Sequence, residues 1–184
     1  MKITKTEIEG VIVIEPTIHR DKRGFFLETF SEKTYKNIGI QEDFIQDNFS
    51  HSKKNTLRGL HFQSKNPQGK LVKVSRGEVF DVAVDIRKDS STFGKHFSIV
   101  LNDKNFKQLY MPPGIAHGFY VISENADFQY KCTDYYFPDD QCGIIWNDKT
   151  LNIDWPSKNP LVSEKDKLFC SFGDFKLSLD KNFN

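Results

Sequence analysis

The sequence predicts a mainly β fold with a few short helices, arranged as a jelly roll in which two antiparallel sheets face each other. About ten short runs with strand character follow one another and are separated by Gly, Pro, Asn and Asp residues. The 17 Phe and 6 Tyr enrich the chain in side chains that favour strands. Helical periodicity is scarce, so the helices that a parallel α/β fold needs between its strands are not available.

The individual strands are predicted from alternation and from the turn residues that bound them. The clearest run covers residues 78–86, where every second residue from Phe80 to Ile86 is large and apolar, as expected of a half-buried strand. In chain order, the other predicted strands cover residues 11–15, 24–30, 44–50, 57–63, 70–75, 96–101, 107–111, 116–123 and 127–137. Residues 32–38 predict one short helix, and residues 163–166 predict a capped turn or the start of a helix.

Length and charge narrow the classes of protein to consider. A chain of 184 residues is long enough for one well-buried domain, spanning residues 1–184, and too short for two. The net charge is +1 and no long run of Lys or Arg is present, so we expect no nucleic-acid partner. No apolar stretch approaches the roughly 20 residues that cross a bilayer, and the N-terminus lacks the apolar segment of a signal peptide. We therefore expect a cytoplasmic protein with no membrane contact.

Strand parity predicts a polar cavity. Four chemically versatile side chains share a strand face with apolar residues: His61, Lys70, His117 and Tyr130. If these apolar neighbours face the interior, the four side chains converge on one cavity. A single inward His or Tyr would fit a satisfied core residue, but Lys is almost never fully buried without a partner. Strict alternation places Arg58 on the face opposite His61, so both reach one pocket only if a bulge or twist intervenes.

The cavity is predicted to hold no metal ion. Residues 112–117 resemble the P-x-G-x-x-H unit that supplies one metal ligand in cupins. The companion H-x-H unit is broken, because Gln63 stands two residues after His61, and no Asp or Glu lies between His61 and Glu78. The region supplies Lys70 instead, whose positive charge opposes a divalent cation. We therefore expect neither a metal nor a cofactor, which argues against an iron dioxygenase or a manganese isomerase.

His, Lys and Tyr side chains without a metal can move a proton next to a ketone. A neutral imidazole can abstract an acidic proton near pH 7. An ammonium can stabilise the enolate oxygen that forms, and a phenol can return a proton to the opposite face. No Ser or Cys nucleophile with a neighbouring base is evident, so acyl transfer is unsupported.

Several motifs resemble the dTDP-4-dehydrorhamnose 3,5-epimerase family. They are D-x-R-G-F-F-x-E at residues 21–28, Q-D-N at 46–48, L-R-G-L-H-F-Q at 57–63, Q-G-K-L-V at 68–72, A-H-G-F at 116–119 and S-E-K-D at 163–166. The resemblance runs from about residue 6 to about residue 167. It implies a cupin-type jelly roll, or double-stranded β-helix barrel. It also implies a homodimer that epimerises dTDP-4-dehydro-6-deoxy-D-glucose at C3 and C5 to dTDP-4-dehydro-L-rhamnose through an enolate, without metal or cofactor.

The same resemblance implies roles for individual residues. His61 would be the base, and Asp166 would hydrogen-bond the far nitrogen of its ring. Lys70 would stabilise the enolate, and Tyr130 would be the acid on the other face of the sugar. The remaining residues would bind substrate: Gln46, Asn48, Arg58 and His117 at the sugar and diphosphate, Tyr136 near the nucleotide, and Arg23, Phe26 and Glu28 at the nucleotide from the neighbouring subunit.

Simpler interpretations of some of these positions stay open at this point. Arg23 and Glu28 could form an ordinary surface pair, and Asp166 could only cap a turn. Asp81 and Asp85 are interpreted as structural or solvent-facing. The sequence also leaves the preferred nucleotide open, because His19 stands where the family usually has an aromatic residue.

Two alternative functions compete with double epimerisation. One is a 3- or 5-epimerase, or a 3,4-ketoisomerase, acting on a related nucleotide-linked 4-keto-deoxysugar. The other is a non-catalytic cupin that binds a sugar nucleotide or another ligand. Tyr130 favours an epimerase, and the combination of a base, an ammonium and a phenol favours catalysis, since binding alone does not require it.

Overall fold

The computed structural model describes residues 1–181, which contain thirteen strands, three α-helices and one 3₁₀ helix (Pro138–Asp140) joined by turns and loops. The strands are β1 (Lys2–Lys5), β2 (Ile12–Glu15), β3 (His19–Asp21), β4 (Gly24–Phe26), β5 (Gln46–Lys53), β6 (Leu57–Gln63), β7 (Lys70–Arg76), β8 (Glu78–Asp85), β9 (His96–Asn102), β10 (Gln108–Met111), β11 (Ile115–Val121), β12 (Asn125–Cys132) and β13 (Gln141–Gly143). The helices are α1 (Glu32–Asn37), α2 (Glu164–Lys167) and α3 (Phe172–Lys181).

The strands form two large antiparallel sheets and one small hairpin. The order is β1-β2-β10-β7-β12-β5 in the first sheet and β13-β6-β11-β8-β9 in the second, while β3 and β4 pair with each other. The predicted mainly β fold with two facing antiparallel sheets is confirmed. Each predicted strand overlaps an observed one, but 24–30 is shortened to β4 and 127–137 ends at Cys132. The strands β1, β3 and β13 were not predicted, because strands of three or four residues carry little periodicity. The ten-residue helix α3 was not predicted either.

The core has three apolar clusters, one between the sheets and one on each outer face. Residues of both sheets, such as Val72 and Phe128 from the first and Ala83 and Phe119 from the second, fill the space between them. The outer face of the first sheet packs against α1. The outer face of the second packs against a C-terminal segment that includes Trp155 and Phe172.

Strand β8 is buried on both faces, so the prediction that residues 78–86 form a half-buried strand was wrong in this respect. Val79 and Ala83 point between the sheets, while Val82 and Val84 pack beneath the C-terminal segment. An apolar run on both faces is the pattern of a strand that is covered twice. The covering segment is irregular apart from the helices α2 and α3, so its docking could not be inferred from periodicity.

Strand β6 contains a β-bulge next to His61. His61 lies opposite His117 on β11, and Arg58 lies opposite Phe119, so two residues of β6 face the single Gly118. Gly59 is one of these two and has φ of +119°, and a Cβ there would lie 2.6 Å from the Cα of Gly118. Only glycine fits this close approach. The bulge turns Arg58 and His61 to the same side of the sheet. Strict alternation would have placed them on opposite faces, so this is the bulge that the sequence requires if both are to reach one pocket.

Candidate active site

A cavity of about 360 Å³ opens between the two sheets, within the size range of small-molecule sites. Its wall is formed by Gln46, Asn48, Ser50, Arg58, His61, Phe62, Gln63, Gln68, Lys70, His117, Phe119, Phe128, Tyr130, Tyr136 and Gln141. Eight of the residues expected at the site from the sequence are among them: Gln46, Asn48, Arg58, His61, Lys70, His117, Tyr130 and Tyr136. The predicted convergence of an imidazole, an ammonium and a phenol on one cavity is therefore observed.

His61 is held by Asp166, which lies outside the cavity wall in α2. The Nε2 atom of His61 is 3.0 Å from Oδ1 of Asp166. The other carboxylate oxygen accepts a hydrogen bond from the backbone N–H of Gly59 at 3.0 Å. The side chain that caps α2 is Ser163, which accepts from the backbone N–H of Asp166 at 3.1 Å. Asp166 is therefore a partner of His61, and the interpretation that it only caps a turn is wrong.

The charge state of Asp166 determines how His61 presents its ring. Burial by itself would raise the pKa of Asp166, but the hydrogen bonds from His61, Gly59 and Ser163 outweigh it and hold the pKa below its ordinary value. A carboxylate can only accept, so Nε2 of His61 carries a proton and donates it. In the neutral ring, Nδ1 then has the lone pair. This is the tautomer that a general base requires.

Phe169 supports the His61 ring from the side and was not identified from the sequence. The two rings meet edge to face, with centroids 5.6 Å apart and an interplanar angle of 81°. Phe169 packs over Gly143, where a Cβ would lie 2.4 Å from the aromatic ring. Gly143 is in turn the partner of His61 in the pairing of β13 with β6. Aromatic packing and strand pairing thus fix the same imidazole. No local sequence signal indicates the contact between Phe169 and His61.

Lys70 reaches the cavity from β7 in the opposite sheet. Its side chain is buried, and its strand neighbour is Cys132 on β12. Within residues 1–181, no carboxylate lies within ion-pair distance of its ammonium group. Burial lowers the pKa of Lys70, and the nearby Cys132 and Asp81 partly oppose that effect. A desolvated cation of this kind stabilises a negative charge that develops beside it.

Tyr130 lies on β12, between Asn48 on β5 and Val72 on β7. Burial raises the pKa of the Tyr130 hydroxyl, Cys132 and Tyr136 raise it further, and Arg58 has the opposite effect. The phenol is therefore protonated at neutral pH. It can donate a hydrogen bond or a proton into the cavity.

His117 forms a second imidazole–carboxylate pair. Its Nε2 atom is 2.9 Å from Oδ2 of Asp81, and its ring stacks on Phe128 with centroids 5.9 Å apart. Asp81 and Asp85 are both 0% exposed, so the solvent-facing alternative for them was wrong. Asp85 accepts hydrogen bonds from Arg87 and from two hydroxyl groups, and its role is structural.

Polar residues bind one another at one side of the cavity. Gln46 donates to Oδ1 of Asn48 at 3.1 Å and accepts from the backbone N–H of Tyr136 at 2.9 Å. The Tyr136 hydroxyl donates to Gln141 at 2.8 Å. Arg58 donates from Nε to the Ser52 hydroxyl at 3.1 Å. These contacts hold amide, phenol and guanidinium groups ready for a polar ligand.

Comparison with known proteins decides the family. The model of the dTDP-4-dehydrorhamnose 3,5-epimerase family matches residues 5–174. The chain is 50% identical over 170 residues to the dTDP-4-dehydrorhamnose 3,5-epimerase of Escherichia coli (strain K12), and the match covers 91% of this chain and 92% of the relative. The chain belongs to the dTDP-4-dehydrorhamnose 3,5-epimerase family. The predicted enzyme class, an isomerase of the epimerase type, is confirmed.

Solved structures agree with this family of 3,5-epimerases. The dTDP-6-deoxy-D-glucose-3,5-epimerase of Legionella pneumophila, in complex with dTDP-4-keto-L-rhamnose, matches with a TM-score of 0.91 and 50% identity over 94% of this chain and 93% of that chain. ChmJ, a 3'-monoepimerase from Streptomyces bikiniensis in complex with dTDP-quinovose, matches with a TM-score of 0.88 and 29% identity over 95% of this chain and 90% of that chain. The higher identity to 3,5-epimerases supports the predicted action at two centres.

Three residues expected at the nucleotide lie outside the cavity of their own chain in this family member. Arg23 and Phe26 belong to the β3–β4 hairpin, where Phe26 is 71% exposed, and Glu28 follows it. Within the described residues, the ion-pair partner of Arg23 is Asp21 at 2.6 Å, so the surface pair of Arg23 with Glu28 is not formed. Their assignment to a neighbouring subunit's nucleotide site stays a prediction.

Over residues 1–181, no group of three or more His, Cys, Asp or Glu side chains is arranged to hold a metal ion. None of the helices in this part of the chain has the length and hydropathy to cross a bilayer.

Proposed function

We propose that the cavity binds a dTDP-linked 4-keto-6-deoxy sugar and inverts its C3 and C5 centres, converting dTDP-4-dehydro-6-deoxy-D-glucose to dTDP-4-dehydro-L-rhamnose. The observation that carries this proposal is the His61–Asp166 pair, 3.0 Å apart, at one cavity with Lys70 and Tyr130. The chain acts as a single domain over residues 1–184 and uses neither a metal nor a cofactor.

The first step removes a proton next to the ketone. His61 takes the proton from C3 at Nδ1, while Nε2 stays bound to Asp166, whose negative charge stabilises the imidazolium that forms. The bonding electrons move to the C4 oxygen and give an enolate. Lys70 stabilises this oxyanion, and its buried position makes the interaction stronger than it would be in water.

The second step returns a proton to the opposite face of the ring. Tyr130 donates its hydroxyl proton to C3, the enolate electrons re-form the ketone, and the centre is inverted. The imidazolium loses its proton and the phenolate regains one by exchange with solvent. The same sequence of steps at C5 completes the reaction, so no net proton is gained or lost.

The charge of the cavity suits a sugar diphosphate. Its wall includes the cations Arg58 and Lys70 and no Asp or Glu among the residues that form it. An anionic ligand is therefore attracted and a cationic one is not. Gln46, Asn48 and His117 bind the sugar and diphosphate in this proposal, and Arg58 binds the diphosphate. The relative from Legionella pneumophila, solved with dTDP-4-keto-L-rhamnose, supports this substrate class.

The nucleotide site is completed by a second copy of the chain. The β3–β4 hairpin carries Arg23 and the 71% exposed Phe26 away from its own cavity, as expected of residues that act on a neighbouring subunit. Glu28 acts with them, and Tyr136 contributes from the subunit that holds the sugar. The enzyme works as a homodimer in the cytoplasm.

Incubation with dTDP-4-keto-6-deoxyglucose in D2O, followed by NMR, tests the proposal. We expect deuterium at both C3 and C5 and formation of the L-rhamno product. Exchange at one centre alone would establish a single-centre epimerase, and migration of the keto group would establish a ketoisomerase. Binding without any exchange would establish a binding protein.

A further inference from the structure

Asp81 is a buried charge that the reaction described above does not use. It lies in the middle of β8, is 0% exposed, and faces the space between the sheets. Its Oδ2 atom is 2.9 Å from Nε2 of His117, but its Oδ1 atom is buried and has no hydrogen-bond partner among the described residues. Burying a carboxylate oxygen without a partner is costly, so a purely structural role explains it poorly.

The surroundings of Asp81 connect it to two groups of the cavity. Because the carboxylate accepts, the Nε2 atom of His117 donates, and Nδ1 is the ring nitrogen left for a ligand. The negative charge of Asp81 also acts on Lys70, for which no carboxylate within residues 1–181 is close enough to form an ion pair. Asp81 therefore acts on His117 through a hydrogen bond and on Lys70 through its charge.

We propose that Asp81 is a positioning residue for the epimerisation, which fixes His117 with Nε2–H toward the core and supports the positive charge of Lys70 beside the enolate oxygen. The inference rests on the proposed function and adds a residue to it. Asp81 acts through these two side chains and does not touch the sugar.

Replacement of Asp81 by Asn tests this role. The side chain keeps its size, so packing is preserved, while the charge is lost. We expect kcat to fall about 10- to 100-fold, as when the orienting partner of a functional side chain is removed, with a smaller change in KM. The melting temperature should stay near that of the wild type or rise, because a half-satisfied buried carboxylate is gone.

The pH profile separates this role from a structural one. Burial lowers the pKa of Lys70, and Asp81 partly offsets that effect, so Asp81→Asn should lower this pKa further. The loss of activity at alkaline pH should then begin at a lower pH than in the wild type. The other titratable groups near Lys70 are Cys132 and Tyr130 on the neighbouring strand β12 and, across the cavity in the second sheet, Arg58, His61 and His117.

Asp85→Asn is the matched control, because it makes the same change on the same buried face of β8. Asp85 is held by Arg87, Ser90 and Thr92, away from the cavity wall. We expect a lower melting temperature and an unchanged alkaline limb of the pH profile. Wild-type kcat and an unshifted alkaline limb in Asp81→Asn would overturn the proposal, whatever its melting temperature.

A measurement on the wild type covers the case in which Asp81→Asn does not fold. Imidazole ¹⁵N NMR, with His117 assigned by comparison with His117→Gln, should show the proton on Nε2. A proton on Nδ1 alone would overturn the proposal. If the wild-type enzyme showed no deuterium exchange, the proposed function would fail, while the NMR result would still report on the Asp81–His117 pair.

Discussion

Two imidazole–carboxylate pairs meet where His61 on β6 lies opposite His117 on β11, and they differ in exposure and in hydrogen bonding. The His61 side chain is 26% exposed, and both oxygens of Asp166 accept hydrogen bonds. The His117 side chain is 8% exposed, and one oxygen of Asp81 has no partner among the described residues. An accessible, fully satisfied pair suits a ring that changes protonation during each turnover. A buried pair in which one carboxylate oxygen has no partner suits a ring whose orientation stays fixed.

The largest difference between the pairs should appear on removal of the imidazoles. His61→Ala removes the base, so kcat should fall roughly 1,000-fold or more, while calorimetry should still detect binding of dTDP. His117→Ala is the matched change. The fall in kcat that it causes should be about 10- to 100-fold smaller than the fall in His61→Ala. Equal losses in the two variants would show that the pairs do not differ in role. Unchanged turnover in His61→Ala would contradict the proposed mechanism.

The carboxylate of the accessible pair should have the next largest effect. Asp166→Asn removes the acceptor that fixes the tautomer of His61, and we expect kcat at neutral pH to fall about 100- to 10,000-fold. Ser163→Ala is the control, since it removes the cap of α2 and only the smallest of the contributions that lower the pKa of Asp166, and it leaves the carboxylate in place. It should cost about 1 kcal/mol in the free energy of unfolding and little activity. A similar loss of activity in both variants would assign Asp166 a structural role.

The two pairs also show how far a sequence can predict a site. Strand parity indicated a cavity with His61, Lys70, His117 and Tyr130, because alternation along a strand is a local property. The broken metal-ligand unit is also local, and it indicated a cavity without a metal ion. The link between His61 and Asp166 came from family resemblance, since residues 105 apart have no local relation. Asp81 was interpreted as structural or solvent-facing. Its burial on β8 depends on the covering of both strand faces, which is a tertiary property.

The bulge in β6 shows the same limit in the fold itself. Strict alternation separated Arg58 from His61, and a bulge was required to bring them together. The observed bulge depends on the close approach of Gly59 to Gly118, at positions that are far apart in the chain. A glycine in a strand permits a bulge but does not specify one. The general architecture was predictable, and this local departure from it was not.

A smaller effect is expected from the aromatic support of the accessible pair. Phe169→Leu keeps an apolar side chain but removes the ring that meets His61 edge to face at 5.6 Å. An aromatic pair contributes about 0.5 to 1.5 kcal/mol, so kcat should fall about 2- to 10-fold with little change in KM. Phe93→Leu removes an aromatic pair with Phe172 outside the cavity and should leave kcat unchanged. Equal kcat in Phe169→Leu and the wild type would show that Asp166 and strand pairing orient His61 without the Phe169 ring.

The smallest expected effect concerns metal removal, and it tests both pairs together. His61 and His117 face each other across β6 and β11, as two ligands of one ion would, but the Nε2 atom of each is committed to a carboxylate. A divalent cation would have to bind at the Nδ1 atoms, beside the buried ammonium of Lys70, where charge repulsion opposes it. Dialysis against EDTA should therefore leave kcat and KM unchanged. Activity that disappears with EDTA and returns with a transition metal would mean that the two imidazoles act as ligands, and the contrast between a proton-transferring pair and a positioning pair would then have to be abandoned.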